Sequence, residues 1–404
     1  MTPPPNPPFF NPLQEGYLED PWPHLAEMRD VDPVHQLLTG QWGLFRYEDV
    51  FRLLRDPTLS VADENVDFSV LERSARLDEV DDELRSRSIL NIDPPDHTRL
   101  RRLVSKAFTP RTIEGLRPMI QRLVDEMLDA MAAEGTADLV RGLAFPLPFD
   151  VISEMLGMPA ADKDVIRDWS AAIVKTIDPI VTDDEVAAAL EAQARMSAHL
   201  DGVIAWKVEH PGDDLLTLLI RAEDDGDTMS ARELRDQVSL LFIAGHEMTV
   251  NLIGTGIREL LRHRDQFELV RAGGLPPTGV DELLRWVSPV QITRRVATTE
   301  LGFGGRSIPE GAFVLASLAS ANRDPAFWGP SAEQLDLTRE NAGQHVSFGS
   351  GIHYCLGSSL AKLEAEVAIE TFVRRFGRAA IVDTPVWNGR INLRGLDELV
   401  VSLR

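Results

Sequence analysis

Apolar residues recur every three or four positions along much of the chain, which is the spacing of one face of an α-helix. The same segments are rich in Ala, Leu, Glu and Arg, residues that favour helices. The pattern predicts the clearest helices at residues 111–133, 185–209, 230–263 and 279–287. It predicts shorter β-strands near residues 34–45, 295–303, 312–318 and 379–403.

Proline and glycine interrupt these segments often, but the sequence shows no internal repeat and no linker long enough to divide it. We therefore predict one mainly α domain with small β-sheets over residues 1–404, with an irregular, proline-rich N-terminus at residues 1–20. The sequence has neither an apolar signal segment at its start nor a long uncharged apolar run. We expect a soluble, cytoplasmic protein that does not enter a membrane.

The 404 residues carry a formal net charge of −23, which argues against nucleic acid as a partner. Residues 63–83 hold nine acids and two arginines, a composition typical of a solvated loop, whereas residues 97–111 hold five Lys or Arg and no acid. The single cysteine, Cys355, excludes an intramolecular disulfide, a cysteine-cluster zinc site and a four-cysteine iron–sulfur cluster.

Cys355 lies in the glycine-rich sequence FGSGIHYCLG at residues 348–357, which a helical pattern follows at residues 358–364. Glycines at 349, 351 and 357 let backbone N–H groups approach the sulfur, and hydrogen bonds of that kind stabilise a metal-bound thiolate. A helix that begins just after Cys355 lowers the thiol pKa further through its dipole. The alternative is a buried, inert cysteine in a turn.

This segment resembles the haem-binding signature of the cytochrome P450 family, with Phe348, Gly351, His353, Cys355 and Gly357 at matching positions. The resemblance implies a helix-rich, triangular domain that encloses haem b between the Cys355 loop and the long helix around residue 245, with Cys355 as the iron ligand.

A second matching element is Glu282-Leu283-Leu284-Arg285, whose charged residues share one helix face, together with Arg339. Such pairs are common on solvated helices, and the value of this one comes from its position about seventy residues before Cys355. The resemblance implies a structural network of Glu282, Arg285 and Arg339 behind the haem.

The resemblance also assigns four cofactor-binding side chains to the two haem propionates, namely His97, Arg101, Arg295 and His353. His97 and Arg101 are four residues apart on a predicted helix, so both can reach one anion. Arginine pairs well with carboxylates. For any one of these residues alone, a surface role is the competing interpretation.

Residues 244–249, Ala-Gly-His-Glu-Met-Thr, resemble the family's oxygen-activation element, which makes Ala244, Gly245, Glu247, Met248 and Thr249 the candidate catalytic residues. Small residues at 244 and 245 leave room for dioxygen above the iron, although a helix-packing contact also explains an Ala-Gly pair. Glu247 is a candidate proton conduit.

The family normally has a threonine directly after the acid, where this chain has Met248, and Thr249 follows one place later. A thioether accepts hydrogen bonds only weakly and cannot deliver protons. Three explanations are open: water or a substrate hydroxyl replaces the donor, a helix bulge brings Thr249 near, or the enzyme uses peroxide or performs other chemistry. We favour the first.

The resemblance implies a monomeric monooxygenase that inserts one atom of O2 into a small organic substrate. Ferredoxin and its NAD(P)H-dependent reductase would supply electrons. The candidate docking cations are Arg99, Arg101, Arg102, Lys106, Arg111 and Lys362, of which some face inward to the haem and about three remain for docking. By family position, the substrate contacts residues 66–71, 169–177, 242, 290–293 and 392–396, which are mostly apolar. The rival functions are a peroxide-driven oxygenase and a non-catalytic haem sensor.

Overall fold

The computed structural model describes residues 9–62, 65, 87–106, 108–158, 163–178 and 181–404. Helices dominate this part of the chain. Their bounds are α1 Trp22–Val31, α2 Tyr47–Arg55, α3 Asp96–Ser105, α4 Pro110–Glu114, α5 Arg117–Glu134, α6 Pro146–Met155, α7 Lys163–Val174, α8 Asp183–Glu209, α9 Leu215–Ile220, α10 Ala231–Arg262, α11 Arg264–Gly273, α12 Gly279–Val287, α13 Leu318–Ala321, α14 Pro325–Trp328 and α15 Ser358–Arg375. Residues 9–20 form turns without helix or strand.

The strands are short, and they form small sheets at the edges of the helical body. Their bounds are β1 Val34–Gln36, β2 Trp42–Leu44, β3 Thr136–Asp138, β4 Glu223–Asp224, β5 Asp227–Thr228, β6 Ile292–Val296, β7 Leu301–Phe303, β8 Arg306–Ile308, β9 Phe313–Ser317, β10 Ala380–Ile381, β11 Val386–Trp387, β12 Leu396–Glu398 and β13 Val400–Ser402. The largest sheet has the order β1-β2-β9-β6, in which only the β2–β9 pair is parallel.

Three of the four clearest predicted helices form within two residues of their predicted ends. The prediction for α12 matches at both ends, and α10 begins where expected because Ser230 and Glu233 form a reciprocal capping box. The prediction of a single helix at residues 111–133 is wrong, since residues 115–116 interrupt it and separate α4 from α5. Pro118 lies in the first turn of α5. Proline lacks an N–H and would clash with a preceding helical turn, so a helix can begin at this position but cannot continue through it.

The predicted strands near residues 34–45 and 295–303 each divide into two. Residues 34–45 form a hairpin in which Val34 pairs with Leu44. Residues 295–303 contribute to different sheets, because β6 pairs with β9 while β7 pairs only with β8. The segment after residue 379 likewise forms four short strands, not one.

The helix α10 runs through the main hydrophobic core, which also receives side chains from α5, α6, α12 and α15. By length and composition, α10 is apolar enough to cross a membrane, but 67% of its most apolar stretch is buried inside the protein. Its apolar composition is therefore accounted for by its place in the core.

The predicted Glu282–Arg285–Arg339 network is present and lies inside the protein. Arg285 donates to both carboxylate oxygens of Glu282, at 2.7 and 2.8 Å, and its remaining N–H groups donate to the carbonyls of Asn322, Ala332 and Gln334. Arg339 Nε contacts the same carboxylate at 3.1 Å. Glu282 and Arg285 are fully buried, and a buried ion pair is tolerated when its hydrogen bonds are satisfied in this way.

Candidate active site

Cys355 lies in a loop that leads directly into α15. Its backbone N–H donates to the Phe348 carbonyl at 2.9 Å, which closes the loop, and Gly357 is the residue before the helix. Burial raises the pKa of the Cys355 thiol, whereas hydrogen bonds from the Gly357 and Ser358 backbone N–H groups and the charge of Arg101 lower it. The loop thus offers the sulfur the donors that a thiolate ligand needs.

The glycines of this loop have two different physical causes. Gly349 and Gly351 adopt φ values of +70° and +73°, and a Cβ at Gly351 would lie 2.5 Å from the Leu54 carbonyl oxygen. These two positions need glycine because the backbone is left-handed there and, at Gly351, because α2 lies close. This differs from the cause predicted from the sequence, which was the approach of backbone N–H groups to the sulfur. Gly357 has ordinary backbone angles and open space on its Cβ side, so this position leaves room for a cofactor.

The structure brings His97, Arg101, Arg295 and His353 together next to Cys355. The imidazole centroids of His97 and His353 lie 4.2 Å apart. Burial, together with the charges of His97, Arg295 and Arg101, lowers the pKa of His353 to about 3, although Asp93 acts in the opposite direction. Burial also lowers the pKa of Arg295, to about 10. The four residues predicted from distant parts of the sequence therefore form one site.

Several polar atoms of this site have no hydrogen-bond partner in the described part of the chain. Both ring nitrogens of His97 and Nε2 of His353 are buried and unpaired. Asp93 is the acid that acts on the cluster electrostatically, and its oxygens already accept from Ser60 and Val61. Buried donors with so little compensating negative charge fit a ligand with carboxylates, and haem has two propionates.

Between residues 240 and 248, α10 has several partly accessible positions although the helix crosses the core, and three of them form a strip on one face. Leu241, Ala244 and Met248 are each partly accessible, and their spacing places them on one face. Phe242, His246 and Thr249 on the other faces are buried. The strip is where the predicted oxygen-activation face would border the cofactor.

Two details of α10 differ from the predictions. Gly245 leaves no open space, because a Cβ there would lie 2.4 Å from Cδ1 of Ile152 in α6, so close helix packing explains this glycine. The helix bulge near Thr249, one of the three explanations left open by the sequence, is not present, since residues 231–262 are all described and α-helical throughout. Thr249 therefore points about 100° away from Met248.

Glu247 has a partner that the sequence did not indicate. Its carboxylate is largely buried and forms an ion pair with Arg390, which lies in the loop between β11 and β12. Asn251, one turn further along α10, donates to the Leu393 carbonyl of the same loop at 3.3 Å. The loop and the helix are separated by about 140 residues, so no local pattern could have linked them.

Most of the predicted docking cations have acidic partners. Arg102 and Lys106 both pair with Asp224, Arg99 pairs with Asp227 and Glu233, and Lys362 pairs with Asp281 at 2.8 Å. Arg101 lies at the cofactor site instead. Acids therefore compensate the charge of Arg99, Arg102, Lys106 and Lys362, in part because the β4–β5 hairpin brings Asp224 and Asp227 onto α3. Among the described residues, Arg111 has no acidic partner.

Only some of the predicted substrate contacts lie among the described residues. Residues 66–71, like most of the acidic stretch 63–83, lie outside the described residues. Phe242 is fully buried and packs against Phe149 of α6, so it belongs to the core. Asn392 donates its backbone N–H at 3.3 Å to Asp178, which directly follows the predicted segment 169–177.

Known proteins similar to this chain match nearly all of it. The family model described as Cytochrome P450 matches residues 278–388. Cytochrome P450 107B1 of Saccharopolyspora erythraea is 40% identical over 406 residues, which cover 96% of each chain. The chain belongs to the cytochrome P450 family.

Two other relatives carry names that describe activity or context. The 6-deoxyerythronolide B hydroxylase of Saccharopolyspora erythraea is 38% identical over 94% of each chain. The structure of PksS, a cytochrome P450 of the bacillaene polyketide synthase of Bacillus subtilis, matches with a TM-score of 0.88 and 34% identity, over 98% of this chain and all of the other. This P450 is accordingly a monooxygenase with the family's fold, and its cofactor is haem.

Proposed function

We propose that Cys355 ligates the haem iron and that His97, Arg101, Arg295 and His353 hold the two propionates. The observation that carries this proposal is the convergence of four basic side chains, with unpaired buried ring nitrogens, beside the only cysteine of the chain. Gly357 supports it, because the open space at its Cβ position leaves room for the porphyrin at the start of α15.

Bound haem supplies the activation of dioxygen and the transfer of one oxygen atom to the substrate. The N–H groups of Gly357 and Ser358 stabilise negative charge on the Cys355 sulfur. Ala244 and Met248 border the oxygen side, and Glu247 is the acid of the proton route. Because Met248 cannot donate, ordered water or a substrate hydroxyl completes the proton route.

The substrate is a small, mainly apolar organic molecule. Two relatives support a polyketide-like compound, since one is named a 6-deoxyerythronolide B hydroxylase and another belongs to a polyketide synthase. Electrons reach the haem from NAD(P)H through a ferredoxin reductase and a ferredoxin. We infer that residues 1–404 are one cytochrome P450 domain, because the relatives match almost the whole chain. We also infer that the protein is a cytoplasmic monomer.

The test of ligation is the spectrum of the reduced protein with carbon monoxide. A thiolate ligand gives the strongly red-shifted absorption band for which the family is named, and Cys355→Ser should abolish it even if some haem stays bound. Survival of the band in that variant would contradict the assignment.

Product formation separates the proposed activity from its two rivals. A monooxygenase consumes O2 in proportion to product when ferredoxin and its reductase are supplied. A peroxide-driven oxygenase would match that rate with peroxide alone. Met248, in place of the threonine usual in the family, is the feature that favours this rival. A haem sensor would form no product under either condition.

A further inference from the structure

Six arginines line one groove on the surface of this strongly acidic protein. The groove has a volume of about 620 Å³ and lies between α11, the C-terminal end of α15 and the last residues of the chain. Its arginines are Arg264, Arg271, Arg374, Arg375, Arg378 and Arg404. The whole chain has a net charge of −23. Six arginines in one groove therefore contrast with the rest of the protein, and their mutual repulsion opposes folding unless acids or a ligand compensate it.

Acids in the groove compensate only some of this charge. Glu268 pairs with Arg264 at 3.1 Å and with Arg271 at 2.5 Å. Arg375 pairs with Asp125 and Asp129, and both of these acids lie on α5. The other three, which are Arg374, Arg378 and Arg404, have no acidic partner among the residues that the structure describes. All three are exposed.

Helix ends explain part of the arrangement, but not all of it. Arg271 lies in the last turn of α11, and Arg374 lies in the last turn of α15, where the carbonyl end of a helix favours cations. Arg378 and Arg404 lie outside any helix. Neither a helix end nor an acidic partner therefore accounts for the charges of Arg378 and Arg404.

The backbone leaves space for two of the arginines. A Cβ at Gly135 would lie 2.9 Å from Nε and Nη2 of Arg404, and a Cβ at Gly377 would lie 3.0 Å from Cδ of Arg271. A side chain at either glycine would displace the arginine beside it. Gly135 also ends α5 with a φ of +74°, which favours glycine independently of Arg404.

We propose that this groove binds a compact polyanion with several phosphate groups, such as a polyphosphate or the triphosphate of a nucleotide. Guanidinium groups recognise phosphate oxygens through paired hydrogen bonds, and a concave site with cations on several walls suits a small ligand of high charge. The site is separate from the haem, because Cys355 precedes α15 and the groove lies at the other end of that helix, roughly 25 Å away.

Calorimetric titration of the haem-loaded protein with inorganic tripolyphosphate tests this proposal. We expect binding at low ionic strength that weakens as salt is added, since the contacts are ionic. Arg374→Glu and Arg378→Glu should each weaken it by about tenfold or more. The matched control is Arg195→Glu, which makes the same charge change at an exposed site on α8 and should leave the affinity within about twofold.

Three outcomes would overturn the proposal, namely no binding of tripolyphosphate, equal binding in the groove variants, and single phosphate binding as tightly as tripolyphosphate. A nucleoside triphosphate is the second probe. Affinity equal to that of tripolyphosphate shows recognition of phosphates alone, and tighter binding shows that the groove also contacts the nucleoside. The carbon monoxide spectrum should be unchanged in every variant, so failure here is distinguishable from failure of the haem assignment.

Discussion

The carboxylate of Glu247 in α10 pairs with the guanidinium of Arg390, with 2.5 Å between Oε1 and Nη1. The loop that carries Arg390 is itself held at Asp178, which accepts from the backbone N–H groups of Ile391 and Asn392 at 2.7 and 3.3 Å. The acid of the proposed proton route is therefore positioned by the C-terminal part of the chain, and not by α10 alone.

Arg390→Gln should lower both stability and the efficiency of the reaction. Loss of one partner from a buried ion pair costs about 3 kcal/mol, and we expect less here because a fifth of the Arg390 side chain is exposed. With its partner gone, the Glu247 carboxylate is no longer held in place. The fraction of consumed O2 recovered as product should fall at least about twofold.

A double-mutant cycle tests whether Arg390 acts through Glu247. Glu247→Gln should itself reduce the yield of product per O2, and Arg390→Gln should add no further loss in that background. An equal loss from Arg390→Gln in both backgrounds would show that the arginine acts by another route, such as the shape of the loop.

The sequence contained enough information for the elements and residues whose signals are local. Apolar spacing predicted both ends of α10 to within one residue, and the loop around Cys355 could be recognised by its resemblance to the family's haem-binding signature. Gly351 illustrates the limit, because its glycine is required by a carbonyl of α2 about 300 residues away. Contacts between distant segments set the details of the site, and one sequence does not display them.

Charge was the property that the sequence described least well. Residues 97–111 contain no acid, yet Arg99, Arg102 and Lys106 are all paired in the structure with acids from residues 224–233. A local count of charges misses partners that the fold supplies. The reverse holds for the arginine groove, whose members are distributed between residues 264 and 404.

Removal of a propionate partner should weaken haem binding. Arg295 is 5% exposed, so Arg295→Ala leaves a buried carboxylate of the cofactor poorly compensated, at a cost of about 3 kcal/mol. We expect faster transfer of haem from Arg295→Ala, and from Arg101→Ala, to a haem-scavenging protein. Arg294→Ala is the matched control, since Arg294 is the exposed neighbour on β6. Unchanged retention in both site variants would mean that the propionates lie elsewhere.

Asp224 reduces the positive charge that α3 presents to an electron-donor protein. Asp224→Asn frees Arg102 and Lys106, whose side chains are 57% and 46% exposed, and it should speed reduction by ferredoxin about twofold or more at low ionic strength. Arg102→Glu should slow the same step. Both effects should diminish in high salt because the charges are screened. If neither variant alters the rate at any salt concentration, ferredoxin docks on another surface.

Met248 lies on the partly accessible face of α10 that includes Leu241 and Ala244, where a threonine hydroxyl is usual in the family. Met248→Thr restores that hydroxyl, and it should change how electrons divide between product and peroxide without altering the Cys355 spectrum. If water or a substrate hydroxyl already completes the proton route, as we propose, the gain in product per O2 should be small. The smaller side chain should also loosen substrate binding, because it enlarges the space beside the haem.

The companion variant is Thr249→Ala, which should leave product yield unchanged because Thr249 is buried on another face of a regular helix. Product and peroxide are measured together with O2 consumption in both variants. A several-fold rise in yield for Met248→Thr would show that the natural protein activates oxygen poorly, and would favour the peroxide-driven alternative. A loss of yield in Thr249→Ala would show that α10 rearranges when haem and oxygen bind. No change in either variant leaves Glu247, held by Arg390, and solvent as the proton route.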